Sequence, residues 1–346
     1  MSHPAEPSDD VLDDFEQSPE GHREEKRRRR RPWLIVLTVL LVILALIAAA
    51  AGIYLWTLER TFYSKSVQVD TGTSDQVQGA GQNILLLGSD SRGADAAKQK
   101  VYGQRSDTIM VVHLAADKKS AYVISIPRDT YVDIPGRSGK DKINAALAYG
   151  GVPLATRTVE NYVGVKMDHV VLVNFDGVKE VIDSLGGVDV HVDQNFVANG
   201  ITYTQGLQHM DGNTALVYSR ARYMLKDGDF GRNRHQRQLL AAIAEKVISA
   251  DTLTDPVRIQ SLVSTIAPYL TFDNNLTPSK IVSMAYDHRG LRTTDIKYLS
   301  APYGKPSTTK QGASVVLQDD AAMPAFRKAL KEDQMAAYYA LPTTKR

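Results

Sequence analysis

Between Trp33 and Trp56 the chain reads WLIVLTVLLVILALIAAAAGIYLW, a run without a charged side chain. At about 1.5 Å per residue such a run is long enough to cross the roughly 30 Å hydrocarbon core of a bilayer. A tryptophan stands at each end, where a membrane interface would hold it. A buried core helix is rarely uncharged over this length. A cleaved signal peptide has a shorter apolar region and a small-residue cleavage site. The Ala48–Gly52 patch supplies small residues, but the long acidic leader over 1–25 argues against cleavage. The block KRRRRRP, Lys26–Pro32, flanks the N-terminal end of the run. Basic flanks stay in the cytoplasm, which places everything after Trp56 outside. The sequence therefore predicts a disordered cytoplasmic tail with a basic block over 1–32 and a transmembrane helix over 33–56. An extracellular stalk over 57–82 and a folded extracellular domain over 83–340 follow.

Composition narrows the chemistry. A formal net charge of +2 gives no basis for a general nucleic-acid binder, and the predicted orientation also disfavours a DNA-binding regulator. Cysteine is absent, which excludes a disulfide framework and thiolate catalysis and leaves oxygen or imidazole as metal ligands. Short apolar runs bounded by turn formers predict strands at 83–88, 108–114, 120–126, 169–175 and 188–192. Helical patterns lie between them, in KINAALAYGG with its glycine stop, VPLATRTVENYVG and DGVKEVIDSLGG, and after them in PVRIQSLVSTIAPYL and PSKIVSMAYDHRG. Alternating strands and helices imply an α/β sandwich with helices on both faces. The closing residues LPTTKR are expected to fray.

Charged residues gather at predicted strand ends. Asp90 and Arg92 follow NILLLG directly, and ligands of open α/β sheets bind beyond the carboxyl ends of strands. Arg105, Ser106 and Asp107 precede the next strand, and Pro127 halts a third strand to present Arg128 and Asp129. Each group alone reads better as a solvated turn or a surface ion pair than as a site. Lys142 and Asn144 open a helix of small apolar residues. The stretch YSRARYMLKDGDFGRNRHQRQ, Tyr218–Gln238, is harder to read as surface. The helix expected to begin near Arg232 carries Leu239, Leu240, Ile243 and Val247 at helical spacing. Steps of four back from Leu240 reach Gln236 and Arg232, so these polar residues share the core-facing stripe. Arg234 and Arg237 fall off it and read as a solvated basic face, and His235 takes no catalytic role. Guanidinium groups at a helix N-terminus describe an anion site suited to phosphate. The two aspartates suggest a hard divalent cation beside it, so a pyrophosphate with Mg²⁺ fits both.

In this order, LLLGSDSR, RSDTIMV, SIPRDTYV, KINAALAYGG and YSRARY…GDFGRNRHQRQ resemble the LytR–CpsA–Psr family of cell-wall proteins over roughly residues 83–250. The resemblance implies an α/β/α sandwich around a mixed central sheet, behind one transmembrane helix. It implies a membrane-anchored phosphotransferase that moves a glycopolymer phosphate, such as a teichoic acid or an arabinogalactan, from a polyprenyl-pyrophosphate carrier to peptidoglycan. Metal ligation, by Mg²⁺ or Mn²⁺, would fall to Asp90 and Asp107. Pyrophosphate binding would fall to Arg105, Arg128, Arg220, Arg222, Arg232 and Gln236, with Arg92 adjacent, and the catalytic role to Asp107 and Arg128. Many members carry Arg-Gln where this chain has His235-Gln236. A small-residue helix at Ala145–Ala148 and the Leu239–Ile243 face are the expected lining for the lipid. The expected partners are the lipid-linked glycan, peptidoglycan and membrane lipid, with no nucleic acid. A non-catalytic binding scaffold and a lipid pyrophosphatase are the alternatives.

Overall fold

The computed structural model describes residues 32–71, 81–89, 105–222, 225, 228–248, 255–342 and 344. Asp90 and Arg92 lie outside the described residues, as does the acidic leader. The chain divides into two compact units, Met1–Gly52 and Ile53–Arg346. Helix α1 runs from Pro32 to Lys65. Within it, Ile43–Lys65 is long and apolar enough to cross a membrane by length and composition.

The second unit is built on a sheet that, among the described residues, has seven strands. They are β1 (Val67–Val69), β2 (Gln82–Ser89), β3 (Ser106–Leu114), β4 (Ala121–Ser125), β5 (His169–Asn174), β6 (Leu270–Asp273) and β7 (Ile296–Ser300). Their spatial order is β1-β6-β5-β2-β3-β4-β7. The β1–β6, β5–β2 and β4–β7 pairs are parallel and the others antiparallel. The sheet is therefore mixed, as expected. The predicted strand at 188–192 forms, but it pairs with 206–210 in a separate hairpin.

Period-2 alternation sorts the sheet side chains to two faces. Leu85, Leu87, Val111, Ile124 and Val170 point into one core with α2 (Ala145–Val163), α8 (Met323–Lys331) and α9 (Met335–Ala340). The predicted glycine stop is a kink inside α2, where Gly150 and Gly151 leave helical geometry and Gly151 has φ +64°. The other layer holds α3 (Phe175–Ser184), α4 (Gly212–Arg220) and α5 (Asp229–Ile248), with a second core that includes Ile182, Tyr203, Tyr218 and Leu239. Helix α5 starts three residues earlier than its sequence signals suggest. Helices α6 (Pro256–Ile266) and α7 (Pro278–Asp287) follow it.

The stalk expected over 57–82 is not a free spacer in its described part. Residues to Lys65 continue α1, Leu58 and Phe62 are buried, and Phe62 stacks on Phe272 at 4.5 Å. Val67–Val69 then pair with Thr271–Asp273 as an edge strand. At the other end, Thr344 is buried and its hydroxyl donates to the Tyr338 carbonyl at 2.6 Å, so the tail is held there.

Candidate functional site

Strand direction places the charged motifs at one edge of the sheet. The carboxyl ends of β2, β4, β5 and β7 and the amino end of β3 coincide, as the register shows: Ser89 lies beside Ser106 and Asn174, and Ser125 beside Ser300. This is the edge where open α/β sheets bind ligands. Asp107 enters β3 there, and Arg128 follows β4 by three residues.

The turn that carries Arg128 is tightly bound. The Thr130 amide donates to the Pro127 carbonyl at 3.0 Å, and the Thr130 hydroxyl donates to the same oxygen. The segment entering α2 clasps the turn, with the Ile143 amide on the Thr130 carbonyl at 2.8 Å and the Asn144 amide on the Arg128 carbonyl at 3.2 Å. Arg128 is thereby aimed back at β3, where its guanidinium donates to the Asp107 carboxylate. Lys142 pairs with Asp129 at 2.9 Å. Asn144 is buried, and its side-chain oxygen meets no donor among the described residues.

The first turns of α5 face inward. Arg232 and Gln236 are 6% and 7% exposed, as the stripe from Leu240 requires. His235 is fully buried and stacks on Tyr218, with ring centroids 4.0 Å apart. Burial, outweighing the opposing pull of Asp193, holds its pKa below the ordinary histidine value. Arg234 pairs with Asp193 at 2.5 Å on a partly exposed face. Arg237 corrects the sequence reading. It is 8% exposed and donates to the Ser125 and Ser300 hydroxyls at 2.8 and 2.6 Å, joining the ends of β4 and β7. Burial lowers its pKa from the usual arginine range.

Between this helix layer and the sheet lies a partly open apolar cavity of about 120 Å³. Leu86, Met110, Val173, Phe175, Leu239 and Ile243 are among its walls, and Gly88, Thr108, Ser219 and Gln236 also border it. A Cβ on Gly88 would stand 2.8 Å from the Thr108 Cβ, so glycine keeps the strand pair close here. The Leu239–Ile243 face lines the cavity as expected. Ala145–Leu147 do not line it, because α2 packs its small residues into the core on the opposite face of the sheet.

Among the described residues, Gln236 is the predicted site residue that borders the cavity, and others neighbour its walls in sequence or in space. Asp107, with Arg128 on it, adjoins Thr108. Arg220 lies 4.7 Å over the ring of Phe175, a cavity wall, and follows Ser219 directly. Arg232 sits one turn before Gln236, and Arg222 is half-buried just beyond α4. Arg105 is not drawn in. It is exposed and does not border the cavity. Sequence reasoning missed Arg237 and Phe175. Nothing local marks Arg237, because its partners Ser125 and Ser300 lie far away in the sequence.

Among the described residues no group of three histidine or carboxylate side chains could hold a metal by itself. Asp107 nevertheless offers hard oxygen ligands, with its side chain 22% exposed beside Arg128. A small divalent cation retains several waters and takes one or two carboxylates plus phosphate oxygens, so this donor fits as part of a shared site.

A mixed sheet stands between helical layers, with arginines near one edge and an apolar cavity on one face. The LytR_cpsA_psr family pattern matches residues 57–332, and the chain belongs to that family. It is 42% identical over 172 residues to the polyisoprenyl-teichoic acid–peptidoglycan teichoic acid transferase TagU of Bacillus mycoides, covering 50% of this chain and 54% of that protein. The chain thus spans about half the length of that curated relative. The crystal structure of B. subtilis TagV shares 30% identity and a TM-score of 0.63, covering 75% of this chain and 99% of that one. A structure of TagT bound to LI-WTA shares 27% identity and a TM-score of 0.59, covering 78% and 94%.

Proposed function

We propose that the chain is a membrane-anchored phosphotransferase that moves a glycopolymer phosphate from a polyprenyl-pyrophosphate carrier to peptidoglycan. One observation carries this reading: Gln236 borders an apolar cavity, Arg232 lies one turn before it on α5, and the Arg128–Asp107 pair stands at the edge of the sheet where the ends of β2 and β4 lie. An isoprenoid tail seeks such a wall, and a diphosphate seeks such an edge. The relatives named as teichoic acid transferases support the same reaction class. In this reading α1 is a single-pass anchor, with the arginine block in the cytoplasm and the folded unit outside.

The arginines hold the diphosphate and neutralise charge on the transferred group and the departing phosphate. A sugar hydroxyl of peptidoglycan attacks the phosphorus nearer the glycan. The bond from that phosphorus to the bridging oxygen breaks, and polyprenyl phosphate leaves with the electron pair. The hydroxyl proton passes to a carboxylate, for which Asp107 and Asp90 are the candidates. Mg²⁺ or Mn²⁺, when bound by Asp107 together with Asp90, would supply further charge neutralisation at the diphosphate.

The test is transfer by the purified full chain of a labelled glycan from a polyprenyl-pyrophosphate donor to peptidoglycan. Labelled peptidoglycan and free polyprenyl phosphate are expected. Release of free glycan phosphate would indicate water as the acceptor, and binding without turnover would indicate a scaffold. Either result overturns the transferase reading.

A further inference from the structure

Helices α6 and α7 are under-packed for their composition. Among the residues of α7, PSKIVSMAYD, only Pro278 is buried, and α6 has no buried residue. Met284 turns toward the small core around Phe62 and Phe272. On other sides of the helix Val282 is 43% and Tyr286 64% exposed, and at the start of α6 Val257 is 76% exposed. A single exposed apolar residue such as Leu207 is ordinary, but apolar residues exposed on two helices that pack against the same small core point to a partner.

The partner is indicated by what adjoins them. Val282 and Tyr286 line a groove whose opposite wall is Leu55 and Leu58 of α1. The Tyr54 hydroxyl donates to the Pro256 carbonyl at 3.0 Å, tying the start of α6 to the same turn of α1. Leu55 and Trp56 are the last residues of the uncharged run, and both are exposed. The α6–α7 surface is therefore continuous with the outer end of the membrane-spanning segment. Its rim has the chemistry of a lipid interface. Arg289 lies 4.0 Å over the Tyr286 ring, and Arg60 lies 5.4 Å over Trp56. Amphipathic aromatics with long cationic side chains sit at headgroup level, apolar body inward and charge outward.

We propose that Val282 and Tyr286 of α7, with Val257 of α6, form a second membrane contact that seats in the outer interface of the bilayer that α1 crosses. This rests on the reading of α1 as a membrane span. The contact holds the folded unit in one orientation on the lipid surface, where α1 alone would leave it to swivel. A lipid-linked donor confined to that leaflet then meets the domain from one side.

The chain has no cysteine, so single-cysteine variants can carry a nitroxide at one chosen position. The test uses the full chain, one copy per phospholipid nanodisc, labelled at Leu44→Cys, Val282→Cys, Tyr286→Cys or Leu207→Cys. Collisions with oxygen report lipid, and collisions with a water-soluble nickel chelate report water. Leu44 is expected to read as lipid and Leu207 as water, with Val282 and Tyr286 oxygen-rich and nickel-poor at shallow depth. Val282 and Tyr286 labels as nickel-accessible as Leu207, beside a lipid-embedded Leu44, would overturn the second contact and leave the span intact. Labels shielded from both reagents, meaning covered by protein, would also overturn it. A nickel-accessible Leu44 would remove the span and the second contact with it.

Discussion

The guanidinium of Arg128 donates to the carboxylate of Asp107 across two strands, 21 residues apart in sequence and both partly buried. The pair sits at the sheet edge beside the cavity wall. Arg128→Ala is expected to lower transfer about 10²–10³-fold, the cost of removing one oriented donor from a developing anion. The pair is mostly buried, so the variant should lose roughly 3 kcal/mol of stability and melt at a lower temperature while still folding. Arg128→Lys should not restore activity, since an ammonium cannot reproduce the two-pronged donor. Turnover with the labelled donor, beside circular dichroism of each variant, checks all three.

Arg232 and Gln236 occupy successive turns of α5 with their side chains buried. Gln236→Leu should keep the helix and weaken binding of a polyprenyl diphosphate more than that of the matching monophosphate. Calorimetric titration with the two ligands measures the difference. Equal losses would mean that Gln236 only packs.

The cavity walls offer a steric test. Ile243→Trp fills space that a long isoprenoid would take. Transfer from long-chain donors should fall while short-chain donors with the same diphosphate are used nearly as well as before. Loss of both to the same degree would show that the tail does not enter here.

His235 sets a pH dependence of stability. Its Nδ1 donates to the Tyr218 carbonyl at 3.2 Å, and burial holds its folded pKa below the ordinary value of 6.5. The unfolded chain therefore binds this proton more readily. The stability is present in full above pH ~6.5 and is lost as pH falls below that toward the folded value. His113 is shifted the same way by burial, so the native slope contains both. His235→Phe keeps the stack on Tyr218 and should give a smaller fall in Tm between about pH 7 and pH 5. An unchanged slope would contradict the assignment.

Much of this site is legible in the sequence alone. The β2 run ending at Gly88, the Pro127 stop and the i, i+4 steps from Leu240 to Arg232 are local signals, and each lands at the sheet edge. Arg237 is different. Its partners Ser125 and Ser300 lie 112 and 63 residues away, and nothing local marks two serines as sufficient to bury a guanidinium. The segment after Trp56 hides for a related reason. Leu58 and Phe62 are spaced for one helix face, but Glu59, Arg60 and Lys65 between and beside them read as solvated. The three-residue strand Val67–Val69 is visible only through its pairing with Thr271–Asp273. Ala145–Leu147 show a further limit, because a small apolar face does not say which side of a sheet it will cover.

In the proposed reaction one diphosphate bridges the sheet edge and the start of α5 while its lipid fills the cavity. A crystal structure of the complex with a polyprenyl pyrophosphate and Mg²⁺ measures this directly. Phosphate oxygens are expected within hydrogen-bonding distance of Arg128, Arg232 and Gln236, with isoprene carbons against Phe175, Leu239 and Ile243. A diphosphate bound at any other surface, with the cavity closed to the lipid, would contradict it.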